Sequence, residues 1–393
     1  MSIAIKGGRV FQDGAFSELD ILLSDGKIAK IGKNLSGDEH YDARGALVLP
    51  GLIDPHVHLR EPGATQKEDF RTGSMAAIAG GFTTVMDMPN NPAPTTTPAR
   101  LKEKMQLAKE KAICDVLFHF GATDGNFSDV KKSGAHSLKI YLGKTTGELY
   151  LRNPDSLEKH FAGFSGNFVF HASVAEGNEE AQIEKTCENI GRVGALSKKY
   201  KRKSHLAHAS AKEEVAAAKK HGLNVETAPH YLFLSKKDAE RLGKFGSVYP
   251  NLRSESVRNG LWGAIGSIDC IATDHAPHTL EDKEAGAHGF PGLETSLALM
   301  LQAYWGKKLK LEWIVSAMSE KPAEIFGLKK QGKIEKGFDG SITVLDLKKE
   351  WAVKGEELYT KCKWSPFEGR TLKGKARAVF RNGKLVFDDY VFL

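Results

Sequence analysis

Over roughly the first fifty residues, apolar and polar positions alternate in short runs, as half-buried strands require. Ala4–Lys6, Arg9–Phe11, Asp20–Leu23 and Ile28–Ile31 carry the alternation, and Gly7-Gly8, Asp25-Gly26 and Gly32 interrupt it as hairpin turns do. About sixty residues at the other end repeat the style in Ser341–Leu345, Ala376–Arg381 and Lys384–Phe387. Asn382-Gly383 joins the last two runs and supplies the positive φ angles of a type I′ turn. Two β-rich ends around one central block predict a small sheet domain built from both termini.

The centre has another rhythm. Apolar runs at Leu52–His56, Thr83–Met88, Asp115–Phe120, Leu138–Leu142, Phe168–His171, Ser204–His208, Asn224–Thr227 and Cys270–Thr273 are separated by helical or irregular stretches. Gly177–Lys201 and Ala211–His221 are the clearest helices. Eight strands alternating with helices over about 250 residues predict an α/β fold, a (β/α)8 TIM-type barrel carrying a small β-sandwich domain. The expected division is 1–50 for the first part of the sandwich, 51–332 for the barrel and 333–393 for the second part of the sandwich. An open doubly wound sheet is the alternative, and no GxGxxG follows the first run to support it.

Composition narrows the class. Of 393 residues, 41% are hydrophobic and 27% charged, which excludes a wholly disordered chain. The longest apolar stretches, such as Ala46–Ile53, fall short of the roughly 20 residues of a membrane span. MSIAIKGGRVF lacks the apolar core and cleavage site of a secretory signal. Cys114, Cys187, Cys270 and Cys362 are scattered without a CxxC pair, so a disulfide scaffold and a cysteine zinc site are not expected, and a reduced, cytoplasmic protein is. The net charge of +7 suits a small anionic substrate. The lysines at 198, 199, 201 and 203 read as a solvated helix end rather than a nucleic-acid patch, and neither nucleic acid nor membrane is an expected partner.

Chemistry gathers at the ends of the central runs. In Asp54-Pro55-His56-Val57-His58, residues two apart on a strand share a face, so both imidazoles can reach one metal ion. His171 ends the fifth run, His208 the sixth, and Asp274 follows the eighth. Barrel enzymes bring such strand ends together at one mouth. Lys139 sits mid-run among apolar neighbours, where it either snorkels outward or points inward at that mouth. His40, His119, His136, His160, His205, His221 and His288 are expected to be structural or solvent-facing, while His230 and His275 suit hydrogen bonds behind the site.

The stretches DPHVHLREPG (54–63) and ATDHAPHTLEDK (272–283) resemble the two signatures of the class I dihydroorotases, in the cyclic amidohydrolase branch of the amidohydrolase superfamily. The resemblance extends to GGFTTVMDMPNN (80–91), the Lys139 segment and FPGLET (290–295), and so spans nearly the whole chain. It implies that His56, His58 and Asp274 hold one zinc ion, that His171 and His208 hold a second, and that N6-carboxylated Lys139 bridges the two. It also implies that Arg60, Asn90 and His278 bind the substrate carboxylate, with Asn251, Pro291 and Gly292 lining the pocket. The implied reaction is the reversible cyclisation of N-carbamoyl-L-aspartate to L-dihydroorotate in pyrimidine biosynthesis, by a metal-bridging hydroxide with Asp274 as general acid and base. Arg60 fits that substrate, because a guanidinium fork matches a carboxylate bidentately. The alternatives are an allantoinase- or hydantoinase-type cyclic amide hydrolase, whose uncharged rings give Arg60 no partner, and a non-catalytic dihydroorotase-like partner of aspartate transcarbamoylase, which would have lost ligands that are present here. Homodimerisation and active association with that transferase are compatible with the resemblance.

Overall fold

The computed structural model describes residues 1–143 and 149–393. It is a mixed α/β protein with a separate sheet region. The eight central runs are strands, paired in parallel in chain order. They are Leu52–Val57, Phe82–Asp87, Asp115–Phe118 with Phe120–Gly121, Ser137–Tyr141, Asn167–His171, Ser204–Leu206, Asn224–Thr227 and Cys270–Ile271. A parallel bridge between Val57 and His275 brings the last run back to the first, and the His58 N–H donates to His275 O at 2.7 Å. Apart from Asp115–Phe118, which is half-buried, these strands are buried along nearly their whole length, as parallel strands covered by helices are.

Three predicted strands are shorter or interrupted, and the backbone gives the reason. The third breaks at His119, whose ring turns inward to Pro55 O and Ser137 Oγ at 2.9 and 2.7 Å. The sixth ends at Leu206 rather than His208, and the eighth at Ile271 rather than Thr273. His208 and Asp274 take left-handed φ values of 41° and 48°, which no β ladder accommodates.

Both helices expected from the sequence form, as Glu179–Tyr200 and Lys212–Lys220. Asn178 caps the first by accepting the Ala181 N–H at 2.9 Å. Lys198 and Lys199 fall in its last turn, where a cation complements the helix dipole.

The chain's two ends form two sheets. Ser2–Lys6, Asp20–Ser24, Lys27–Gly32 and Glu39–Asp42 make one. The other joins Arg9–Gln12, Ala15–Glu18 and Leu47–Pro50 to Ile342–Ala352, Thr371–Arg381, Lys384–Asp388 and Val391–Phe392. Residues such as Ile5, Val10, Ile21, Val48, Ile342 and Phe380 form one apolar cluster shared by the two sheets. Asn382 and Gly383 have φ of 48° and 78° at the expected hairpin. Leu47–Pro50 pairs with Ile342–Leu345 in the sheet, and after Gly51 the chain enters the first central strand. A side chain at Gly51 would collide with Thr83, its Cβ lying 2.1 Å from Oγ1, so only glycine lets the chain make this passage.

Candidate active site

At the strand ends, Asp274 stands between two histidines of the first strand segment. His56 Nε2 lies 3.3 Å and His58 Nε2 3.2 Å from Asp274 Oδ1, and these atoms all fall within 4.8 Å of one another. The far ring nitrogens are tied back. His58 Nδ1 donates to Asn90 Oδ1 at 2.7 Å, and His56 Nδ1 donates to Glu226 Oε1 at 2.5 Å. Both Nε2 atoms therefore face the cluster in the unprotonated tautomer, the form that binds a cation. Across the cleft His171 Nδ1 and His208 Nε2 are 2.9 Å apart, and the His56 and His208 rings lie 5.3 Å centre to centre.

Lys139 points inward. It is fully buried, and among the described residues Nζ has no hydrogen-bond partner. Burial lowers its pKa to about 8, against the opposing pull of Glu226 and Asp274. Burial also keeps the imidazoles neutral. It holds His171 at about 3, and it holds His58 well below its usual range, helped by Arg60 and Lys139. Asp274 is pushed up by burial, against the pull of His56, His230 and Lys139.

Asp54 explains the first residue of the DxHxH motif. Its Oδ1 accepts N–H groups from His56 and Thr273, both at 3.1 Å, and its Oδ2 accepts the Thr273 hydroxyl at 2.5 Å. One carboxylate thus fastens the histidine strand to the segment that carries Asp274. Burial raises the Asp54 pKa to about 7.

The cleft is lined by His56, His58, Arg60, Asn90, Tyr141, His171, His208 and Asp274, with Val248, Tyr249, Ala276, His288 and Gly289 forming the opposite wall. Arg60 is buried at φ 63°, donates Nε–H to Pro277 O at 3.0 Å and reaches His278 Nε2 at 3.0 Å. Burial lowers its pKa to about 10, so it remains a cation near neutral pH. His278 stands behind Arg60, and burial followed by the charges of Arg60 and Lys67 holds it near 2, a neutral ring. The remaining expected pocket residues lie off the lining. Asn251 is exposed beyond the Tyr249-Pro250 bond. Pro291 is buried, and the Gly292 N–H donates to His275 Nδ1 at 3.1 Å.

His288 corrects an expectation. Instead of being merely structural or solvent-facing, it lines the cleft, stacked on Tyr249 with ring centres 3.9 Å apart and planes 5° apart. Tyr141 lines the cleft with a buried hydroxyl that lacks a partner among the described residues, and it could be found by its position two residues after Lys139 on the same strand face. Glu226 carried no sequence signal, since a carboxylate in Asn224–Thr227 reads as an outward strand residue. His275 and His230 are both buried; His275 Nδ1 accepts the Gly292 N–H, while His230 Nε2 has no hydrogen-bond partner among the described residues.

The donor set fits metal ions. It offers neutral imidazoles, one carboxylate and a buried amine without a partner, while His208 Nδ1 is a second buried nitrogen without a partner among the described residues.

Comparison with known proteins agrees with this geometry. The amidohydrolase family model matches residues 47–386. A dihydroorotase of Pyrococcus abyssi is 40% identical over 97% of this chain and 94% of its own. The multifunctional protein CAD of Squalus acanthias is 37% identical over 87% of this chain, which corresponds to 15% of that longer protein. Among solved structures, the L-hydantoinase (dihydropyrimidinase) of Arthrobacter aurescens superposes with a TM-score of 0.93 at 29% identity, covering 100% of this chain and 97% of the other. The chain belongs to the amidohydrolase family, on its dihydroorotase branch.

Proposed function

We propose that the protein is a metal-dependent dihydroorotase that interconverts N-carbamoyl-L-aspartate and L-dihydroorotate. We read the eight parallel strands as a (β/α)8 barrel over 51–332, with residues 1–50 and 333–393 forming a β-sandwich. The reduced cysteines are consistent with a cytoplasmic setting.

The observation that carries the reading is the buried guanidinium of Arg60 in the cleft wall beside Asn90 and the histidine cluster. A buried cation is costly unless an anion meets it, and dihydroorotate brings a carboxylate. Asp274, Asp87, Asp282 and Glu68 offset part of that cost, and neutral hydantoin or dihydrouracil rings would bring no carboxylate to the guanidinium itself. The hydantoinase-type reading draws support from the L-hydantoinase likeness in overall structure. A scaffold reading has less support, because no expected ligand is missing.

In this proposal His56, His58 and Asp274 hold one zinc ion and His171 and His208 a second. The unpaired amine of Lys139, on adding carbon dioxide and losing a proton, would become a carbamate whose oxygens would complete the set of ligands for the two ions. When bound, such ions activate water near neutral pH and polarise an amide carbonyl. Asp274 takes the proton of the attacking water and delivers it to the ring nitrogen as the carbon–nitrogen bond breaks. Its raised pKa makes it a better acceptor of that proton. In the cyclising direction the same carboxylate removes the proton from the carbamoyl nitrogen. Arg60 and Asn90 hold the substrate carboxylate, which fixes the reacting carbonyl over the cluster.

The test is a hydrolysis assay on zinc-reconstituted protein with dihydroorotate, allantoin, hydantoin and dihydrouracil side by side, with metal counted in the same sample. Turnover of dihydroorotate alone with about two ions per chain is the expected result. Turnover of a neutral ring instead would move the protein to the hydantoinase-type reading. A full metal complement without turnover would favour the scaffold reading.

A further inference from the structure

The helix Pro98–Lys111 lies outside the cleft, and Lys104 on it is completely buried. An ammonium group in that position must spend its three hydrogens well. It forms an ion pair with Asp87, Oδ2 lying 2.6 Å away, and donates to Met88 O at 2.8 Å and Asn91 Oδ1 at 2.7 Å. These acceptors surround Asn90 in sequence, so the loop that carries Asn90 is held on both sides.

Two of them also reach the loop that carries Arg60. Asp87 Oδ1 accepts the Leu59 N–H at 2.7 Å, and Asn91 Nδ2 donates to Pro62 O at 3.3 Å. Arg60 is therefore tied immediately before and two residues after itself. Its left-handed backbone, at φ 63°, needs such ties, because a non-glycine residue holds that conformation only where its surroundings impose it. Lys104 is the common node of the ties to both loops.

We propose that Lys104 is a positioning residue for substrate recognition: from outside the cleft it sets Arg60 and Asn90 at the spacing at which both meet the substrate carboxylate. This rests on the dihydroorotase reading above. Arg60 and Asn90 grip a part of the substrate that does not react, so misplacing them removes binding shared by ground and transition states, and the loss falls mainly on KM.

The experiment uses the full, metal-loaded chain. Steady-state kinetics with dihydroorotate, metal content and thermal midpoint are measured for wild type, Lys104→Met and the double variant Asp87→Asn/Lys104→Met. Asn at position 87 keeps an acceptor for the Leu59 N–H while removing the charge that Lys104 would leave unpaired. Lys104→Met should raise KM about tenfold or more, with kcat per bound metal within about threefold. The double variant should regain thermal stability, because both buried charges are gone, yet keep the raised KM. An unchanged KM in either variant would overturn the role of Lys104, as would a KM that returns to normal together with stability. Failure of the wild type to turn over dihydroorotate would instead overturn the dihydroorotase reading, and this proposal with it.

Discussion

Glu226 is placed between two imidazoles, accepting from His56 at 2.5 Å and from His205 at 2.8 Å. Both bonds require acceptors, and only a carboxylate offers two. In Glu226→Gln the amide nitrogen must face one ring, which turns that ring's tautomer and, if the ring is His56, aims a proton at the cation site. Metal affinity should fall about 10–100-fold in that variant, read by competition with a chromophoric chelator. The folded structure should persist. The clustered histidines and Asp274 were legible because each ends an apolar run, a position that packing alone does not favour. Glu226, Tyr249 and His288 were not: the first sits in a strand of ordinary alternation, and the others sit on loops without any period. Asn251 shows the same limit from the other side, expected in the pocket and exposed in the structure.

Strands and helices were read from pattern, and their cores coincide with the structure while their ends drift. The drift has a physical source at the ends that matter. His208 and Asp274 leave the β region to aim their side chains inward, so the ladder stops before them. Ala15–Glu18 and Glu39–Asp42 escaped notice because they are mostly exposed and lack an apolar face. Within the elements, packing is close. Phe161 stacks on Phe168 at 4.2 Å with planes 5° apart, and Phe170 continues the stack, so helix Pro154–Gly163 is fastened to the fifth strand. Phe168→Ala should cost about 3–5 kcal/mol of stability, measured by denaturant unfolding. Because His171 ends the same strand, loosened metal binding should accompany the loss.

At the scale of the molecule, the C-terminal segment is joined to the loop before helix Phe70–Ala79 and to helix Leu293–Trp305 through two carboxylates, Glu68 buried and Glu294 half-buried. Glu68 accepts the Thr360 hydroxyl at 2.5 Å, and Glu294 accepts the N–H groups of Tyr359 and Thr360, both at 3.0 Å. Burial raises the Glu294 pKa from 4.5 to about 7, while the two N–H donors pull the other way. A carboxyl whose pKa is higher folded than unfolded binds its proton more tightly in the native state. Its contribution is full below about pH 4.5 and is lost as pH rises through about 7. Glu294→Gln should therefore flatten the stability profile between those limits, measured as denaturation midpoint against pH. A steeper fall in the variant than in wild type would contradict this assignment.

The strand Leu47–Pro50 pairs on one side with Arg9–Gln12 but finds its second sheet partner only at Ile342–Leu345, almost three hundred residues later. A ribosome makes the early half of that sheet first and must complete the whole catalytic unit before the other half emerges. Until then the second edge of Leu47–Pro50 is unpaired and apolar, the kind of surface that recruits chaperones or strays into other chains. In the proposed reading, metal loading of the central strands can thus precede completion of the sheet during synthesis, and a chain stalled near residue 340 would have its full set of proposed ligands but lack the last four strands of its sheet region.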